Sequence, residues 1–331
     1  MQKDRYPVVQ NLILISRILD ISPERVLQRA GLPRDLVHNE GKGVTAAQFF
    51  SLFNAMDQEA EAQDLPIKLG RAFAKGPTNA AMFAFSCSPN TEEGIKRLSL
   101  FKPLVAPCDL GLERLSDSVV ITTRSADLEH PMPPRLAAFE MVFFTELIRN
   151  HTMSHVVPLA VNLPSDVAGR ARLDRYFGVA SGTALYPSLT LSLNDAHRPL
   201  FSENAALWAG FEDGLKQQMD ARKSETPITI RVQSALMDLL PAGHSSIDAV
   251  CGRLHISRRS LQRHLKQENT SFQAILDHTR SKLSLHYLAR PDMSVEDISY
   301  LLAYRDPNSF YRAFQNWTGK TPMQARQDAL H

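Results

Sequence analysis

The chain has 331 residues, 44% apolar and 22% charged. That is longer than one hydrophobic core usually serves and too apolar for a disordered segment, so two globular domains are expected. The net charge of +2 hides an asymmetry: residues 231–331 hold 13 basic and 9 acidic side chains, net +4, leaving 24 against 26, net −2, for residues 1–230.

The opening MQKDRYPVVQNLILIS has only a four-residue apolar run, too short for a signal-peptide core. No later stretch approaches the ~20 apolar residues that span a bilayer, so a cytoplasmic protein without a membrane partner is expected. NLILISRILD is apolar on one side. SPERVLQRAGL has a Ser-Pro-Glu start and a glycine stop, and TAAQFFSLFNAMDQEAEA makes a third amphipathic helix. SPNTEEGIKRLSLFKPLV begins with capping-type Asn and Thr followed by acids, a further helix start. LGLERLSDSVVITTRS alternates across a short polar turn and predicts a hairpin. PRLAAFEMVFFTELIRNH predicts a helix, and PLAVNLP and SLTLSL predict short strands. Residues 1–220 therefore read as an α/β domain, the polar, proline-bearing ARKSETPIT (221–229) as a linker, and residues 230–331 as an all-α domain.

Signals for chemistry in the first domain are weak. HTMSH places His151 and His155 at i and i+4 on a helix end, a spacing a metal can bridge. No Glu follows His151 as zinc proteases require, and a solvated helix end is the preferred reading. GKG at 41–43 lacks the flanking strand and spacing of a phosphate loop, and VASGTAL has no glycine two before Ser181, as a nucleophile elbow needs. Phe83, Phe85, Phe101, Phe139, Phe143, Phe144 and Tyr186 are candidates for an apolar pocket, with core the simpler reading for each. Cys87, Cys108 and Cys251 are far apart, against a disulfide framework or zinc cluster. No catalytic constellation is present, so no enzyme, cofactor or metal is expected.

The last third carries the main signal. SSIDAVCGRLHIS predicts a short helix with Ile247, Val250 and Leu254 inward and a break at His255-Ile256. In SRRSLQRHLK, Ser257 caps a second helix. Leu261 and Leu265 join Leu254 in an apolar stripe, and Arg259, Gln262, Arg263 and Lys266 gather opposite. No acid lies between Asp248 and Glu268. Two short helices around a turn, the second cationic outside, make a helix-turn-helix over about 246–267. SVEDISYLLAYRDPNSFYRAFQNWTG repeats it over about 294–316. There Ser294 matches Ser246, and Phe310 and Phe314 replace Leu261 and Leu265. Asn308, Tyr311, Arg312 and Gln315 take the outer face, and Phe314 and Trp317 read as core. The offset is 48 in the first helices and 49 in the second, so the later turn holds one extra residue near Asp306. SFQAILDHTRSKLSLHYLAR between the copies predicts a long, rigid amphipathic linker helix. Two second helices held in fixed relation suit successive major grooves, about 34 Å apart.

These segments, in this order, resemble the DNA-binding domain of the AraC/XylS family of bacterial transcription regulators over about 100 residues. They depart from it at Ala303, where the family commonly has glycine, and at Arg305, where a small polar residue is usual. The resemblance implies base-edge contacts from Arg259, Gln262 and Arg263 in the first unit, and from Asn308, Ser309, Tyr311 and Arg312 in the second. Arg suits guanine, and Gln or Asn suits adenine. Arg258, Lys266 and Arg305 are expected on phosphates. More loosely, KLGRAFAKGPTNAAMFAFSCSPNTEEGIKRLSLFKPLV and VNLPSDVAGRARLDRYFGVASGTALYPSLTLSLNDAHRPL resemble the arabinose-binding-type effector domain of one subgroup. The resemblance implies a small-molecule effector of unassigned identity, a homodimer, and activation through RNA polymerase as the commoner family mode. The alternatives are an effector-independent dimeric regulator whose first domain only mediates dimerisation or protein interaction, and an enzyme with a fused DNA-binding tail.

Overall fold

The computed structural model describes residues 5–38, 43–76, 78–127, 129–289 and 293–330, and the chain divides into two compact units at Glu225/Thr226. The first unit opens with helices α1 (Val9–Leu19), α2 (Pro23–Arg29), α3 (Ala46–Ala60), α4 (Leu65–Phe73), α5 (Ala80–Ser86) and α6 (Thr91–Phe101). Their starts carry the predicted chemistry. The Ser22 hydroxyl accepts the N–H of Arg25 with Pro23 at the first helical position, Thr45 and Gln48 form a reciprocal capping box, and Asn90 accepts the N–H of Glu93. Each such cap contributes roughly 1 kcal/mol.

A 3-10 turn (Lys102–Leu104) leads into β1 (Cys108–Arg114) and β2 (Ser118–Ser125), the predicted antiparallel hairpin. After α7 (Pro134–Thr152) come β3 (Ala160–Leu163), α8 (Arg170–Phe177), β4 (Gly182–Thr183), β5 (Ser188–Ser192), α9 (Leu193–Ala196) and α10 (Ala205–Glu225). The sheet order is β1-β2-β5-β3-β4, antiparallel except for the β3–β4 pair. Alternation along β2 buries Val119, Ile121 and Thr123, and Ile121 and Val161 both face Leu189 in register. Helix α7 is the spine of the unit, with Leu136, Met141, Phe144, Leu147 and Ile148 inward. At Gly70 helix α4 touches it: a β-carbon there would lie 2.5 Å from Val142 Cγ1, so this crossing needs glycine.

Several expectations are corrected. ARKSE continues α10, and only Thr226 and Pro227 separate it from the next helix. Its residues are good helix formers, and the stop comes from Pro227, which disfavours helical geometry at Thr226. Helix α7 ends at Thr152, with Met153 left-handed, so His151 and His155 do not share a helix. His151 is half-buried and His155 exposed. The His151 ring meets Phe85 edge-on at 5.3 Å, its Nδ1 donates to the Leu147 carbonyl at 2.9 Å, and burial holds its pKa below the ordinary value. GKG lies outside the described residues except for Gly43, whose positive φ lets the backbone press against the Tyr6 carbonyl. Of the aromatic set, Phe85, Phe101 and Phe144 are fully buried core, Phe83 meets Phe211, Tyr186 is half-buried, and Phe139 and Phe143 line a cavity.

The second unit is all helical: α11 (Ile228–Leu239), α12 (Ile247–Leu254), α13 (Arg258–Gln267), α14 (Phe272–Leu288), α15 (Val295–Leu301), α16 (Pro307–Thr318) and α17 (Pro322–Leu330). Helix α11 backs both α12 and α13. Helix α14 packs against α11, α15, α16 and α17. It buries a stripe of Ile275, Leu276, Thr279, Arg280, Leu283, Ser284, Tyr287 and Leu288, so the rigid linker helix is also part of the core.

Candidate nucleic-acid interface

Helix α12 starts at Ser246, whose hydroxyl accepts the N–H of Ala249, and stops at His255, a non-glycine residue held left-handed at φ 53°. Ile256 follows, and Ser257 then caps α13 through the N–H of Ser260. Val250 and Cys251 are the buried residues of α12, whereas Ile247 and Leu254 are half-buried. Leu254 belongs to α12, so it extends no stripe on α13. The inward edge of α13 is Leu261 and Leu265 alone. Burying two leucines offers about 3–6 kcal/mol, enough to hold the opposite face outward.

That face is cationic and open. Arg259, Gln262 and Lys266 are exposed and have no hydrogen-bond or ion-pair partner among the described residues. Arg263 is exposed, with only a 3.4 Å contact to the His264 ring. Arg258 lies 3.7 Å from the carboxylate of Asp248, both well exposed, so this pair is weak and solvent-screened.

The second unit repeats this plan with different fastenings. Ser294 and Asp297 form a capping box on α15, and Ala303 holds φ 57° where His255 stood 48 residues earlier. Tyr304 and Arg305 intervene before Asp306 caps α16, so the extra residue lies in the turn. Asp306 accepts both the N–H of Ser309 at 2.9 Å and its hydroxyl at 2.7 Å, which hold its carboxyl below the usual range. Phe310 and Phe314 are fully buried and meet edge-to-face at 5.7 Å, whereas Trp317 is only half-buried. Outward lie Asn308, Arg312 and Gln315, with Tyr311 half-buried against Phe310. Ser309 is half-buried, committed to Asp306 and approached by Arg312 at 3.4 Å. Arg305 is exposed beside a surface hollow between residues 241–246 and 300–305.

Two fasteners escaped the sequence reading. Arg280 of α14 is buried. Its Nε donates to the Leu302 carbonyl at 2.9 Å, its Nη2 donates to that of Ala303 at 3.1 Å, and its guanidinium lies 4.2 Å from the Tyr304 ring centre. It therefore ties α14 to the turn of the second unit. Glu268, directly after α13, accepts the N–H groups of Ile228 at 2.7 Å and Thr229 at 3.0 Å and the Thr229 hydroxyl at 2.6 Å. Pro227 supplies no cap of its own, so α11 takes one from the residue that follows α13. A cation placed on the apolar stripe of α14 was the available hint for Arg280; Glu268 left none.

A profile described as the arabinose-binding domain of AraC transcription regulators, N-terminal, matches residues 21–199, more than half the chain. One described as a helix-turn-helix domain matches residues 250–328. The Ornithine utilization regulator of Pseudomonas aeruginosa is 32% identical over 130 residues, which is 39% of this chain and 38% of that protein. The HTH-type transcriptional regulator VirS of Mycobacterium tuberculosis is 31% identical over 103 residues, 31% of this chain and 30% of that one. The chain thus aligns with well under half the length of these curated relatives. The crystal structure of transcriptional regulator CdpR from Pseudomonas aeruginosa covers 98% of this chain and 100% of that one, at 18% identity and a TM-score of 0.41.

Proposed function

This chain belongs to the AraC-type transcription regulators with an arabinose-binding-type N-terminal domain, and from that premise we propose that α13 and α16 lie in successive major grooves of promoter DNA. Arg259, Gln262 and Arg263 read base edges from α13, and Asn308, Tyr311 and Arg312 read them from α16. Ser309 joins them only by leaving Asp306, which makes it the weakest reader. Arg258, Lys266 and Arg305 hold phosphates and set the register. The observation that carries this reading is the outward, unpartnered face of Arg259, Gln262 and Lys266 over fully buried leucines. The protein acts in the cytoplasm as a homodimer without enzymatic activity. A small effector in the N-terminal domain biases DNA binding through its differential affinity for two states, and the regulator activates through RNA polymerase.

The test selects genomic fragments with the intact protein and titrates the recovered site by fluorescence anisotropy. Three neutralised phosphates give log Kd against log salt a slope of about 3 in magnitude, and further contacts steepen it. Arg263→Ala is expected to lose about 1–3 kcal/mol of specific over non-specific binding with the thermal transition unchanged. Normal discrimination by that variant, or a flat salt dependence, refutes the assignment of the first reading face.

A further inference from the structure

The helical half of the first unit contains a cavity lined by Leu12, Phe49, Phe53, Phe73, Phe139 and Phe143, with about 780 Å³ of empty space, part of it open to solvent. Its cavity volume proper is about 90 Å³, so a bound molecule would extend along the open part. A more polar hollow adjoins it and shares Val8, Asn11, Asn79 and Val105. In the apolar wall sit two buried charges, Lys102 and Glu140, 6% and 3% exposed. The Lys102 Nζ donates to both Glu140 oxygens, at 2.8 and 2.7 Å, and lies 5.6 Å from the ring centres of Phe143 and Phe144. An ammonium has three donors. Glu140 takes two, and the third has no partner among the described residues.

The pair is already neutral. A carboxylate entering beside it would compete with Glu140 and leave a net negative charge among phenylalanines. An ammonium would compete with Lys102 and leave a net positive one. Either uncompensated charge is disfavoured beside a pair as buried as this one. A neutral acceptor adds one charge-assisted hydrogen bond and disturbs nothing.

We infer that this cavity binds an uncharged amphiphile, a long apolar body carrying one carbonyl or hydroxyl oxygen that accepts the unused Nζ–H of Lys102. The inference rests on the small-molecule control proposed above and names the class of molecule that exerts it.

The test titrates octanamide, octanoate and octylamine into the intact protein at pH 7, by calorimetry and thermal shift. Octanamide is expected to bind at least ~tenfold tighter than either charged analogue. The second arm repeats the series on Glu140→Gln, which leaves the Lys102 charge without its counter-ion. There the order is expected to invert, octanoate binding at least ~tenfold tighter than octanamide. A purely structural pair gives no such inversion. Octanoate or octylamine matching octanamide on the native protein overturns the ligand class, and so does an unchanged order in a folded Glu140→Gln. Should that variant not fold, the native series decides alone. If none of the three binds, the cavity assignment fails. Small-molecule control is then judged separately, by whether fractionated metabolite extract alters promoter binding.

Discussion

Replacing Glu268 with alanine tests how the end of α13 is anchored to α11. The carboxylate closes the N-terminus of α11 with three hydrogen bonds of 2.6–3.0 Å, and the N-cap residue Pro227 provides no side-chain cap. Loss of a helix cap costs about 1 kcal/mol, and hydrogen bonds to a charged acceptor contribute about 1.5–3 kcal/mol each. The site is half-buried, so water can satisfy part of what is lost, and about 2 kcal/mol is the working figure. For the 106 residues from 226 to 331 this lowers the midpoint by roughly 8 °C. Glu268→Gln keeps an acceptor but not the charge, and should lose about half as much. Differential scanning calorimetry of the intact chain reads the transition, and hydrogen exchange at Ile228 and Thr229 reads the cap directly. A midpoint drop under about 2 °C for Glu268→Ala, or unchanged protection of those two amides, refutes the anchoring role.

Ala303→Gly relieves a left-handed alanine and should raise stability by about 0.5–1 kcal/mol in urea unfolding, because Arg280 bonds only backbone oxygens there. A loss of stability would contradict this. Gly70→Ala should destabilise, because overpacking against Val142, about 1–3 kcal/mol, outweighs the ~1 kcal/mol gain in helix propensity. Val142→Ala in the same chain should recover most of the loss, and failure to do so would place the strain elsewhere. For His151, burial depresses the folded-state pKa below the ordinary 6.5 despite the bond to Leu147. The unfolded chain therefore takes up a proton near 6.5 that the folded chain refuses, and stability falls as pH drops from there toward the folded-state value. His151→Gln should flatten the midpoint-against-pH curve between pH 7.5 and 5.5; a parallel curve would show that the ring makes no contribution.

What could be read from the sequence was what neighbours within a few residues decide. Ser246, Ser257 and Ser294 announced their caps, Leu261/Leu265 and Phe310/Phe314 announced their inward edges by i, i+4 spacing, and the shift from 48 to 49 located the extra turn residue. The fasteners were hidden because their partners are distant in the chain. Arg280 reaches carbonyls 22 and 23 residues away, Glu268 reaches back about 40, and Lys102 meets Glu140 across 38. None of these pairings leaves a periodicity. Two-residue β4 is too short to alternate, and α8 buries only Leu173 and Phe177, too few for a stripe. The boundary at Glu225/Thr226 falls within the expected linker, but polarity alone suggested a loop there, while helix formers carried α10 on to Glu225.

If α13 and α16 read DNA as proposed, their fastenings imply unequal duties. Helix α13 presents Arg258, Arg259, Arg263 and Lys266 with no acid among them, so counterion release and hence most of the affinity reside there. Helix α16 presents Arg312 beside the capping Asp306, whose carboxylate offsets part of that charge. It therefore adds little attraction to an arbitrary duplex, and its contribution depends on the match made by Asn308, Tyr311 and Arg312. The turn before it is the one clamped from α14 by Arg280. A weakly attracting reader gains most from being held rigidly, because discrimination then spends less of its contact energy on ordering the helix.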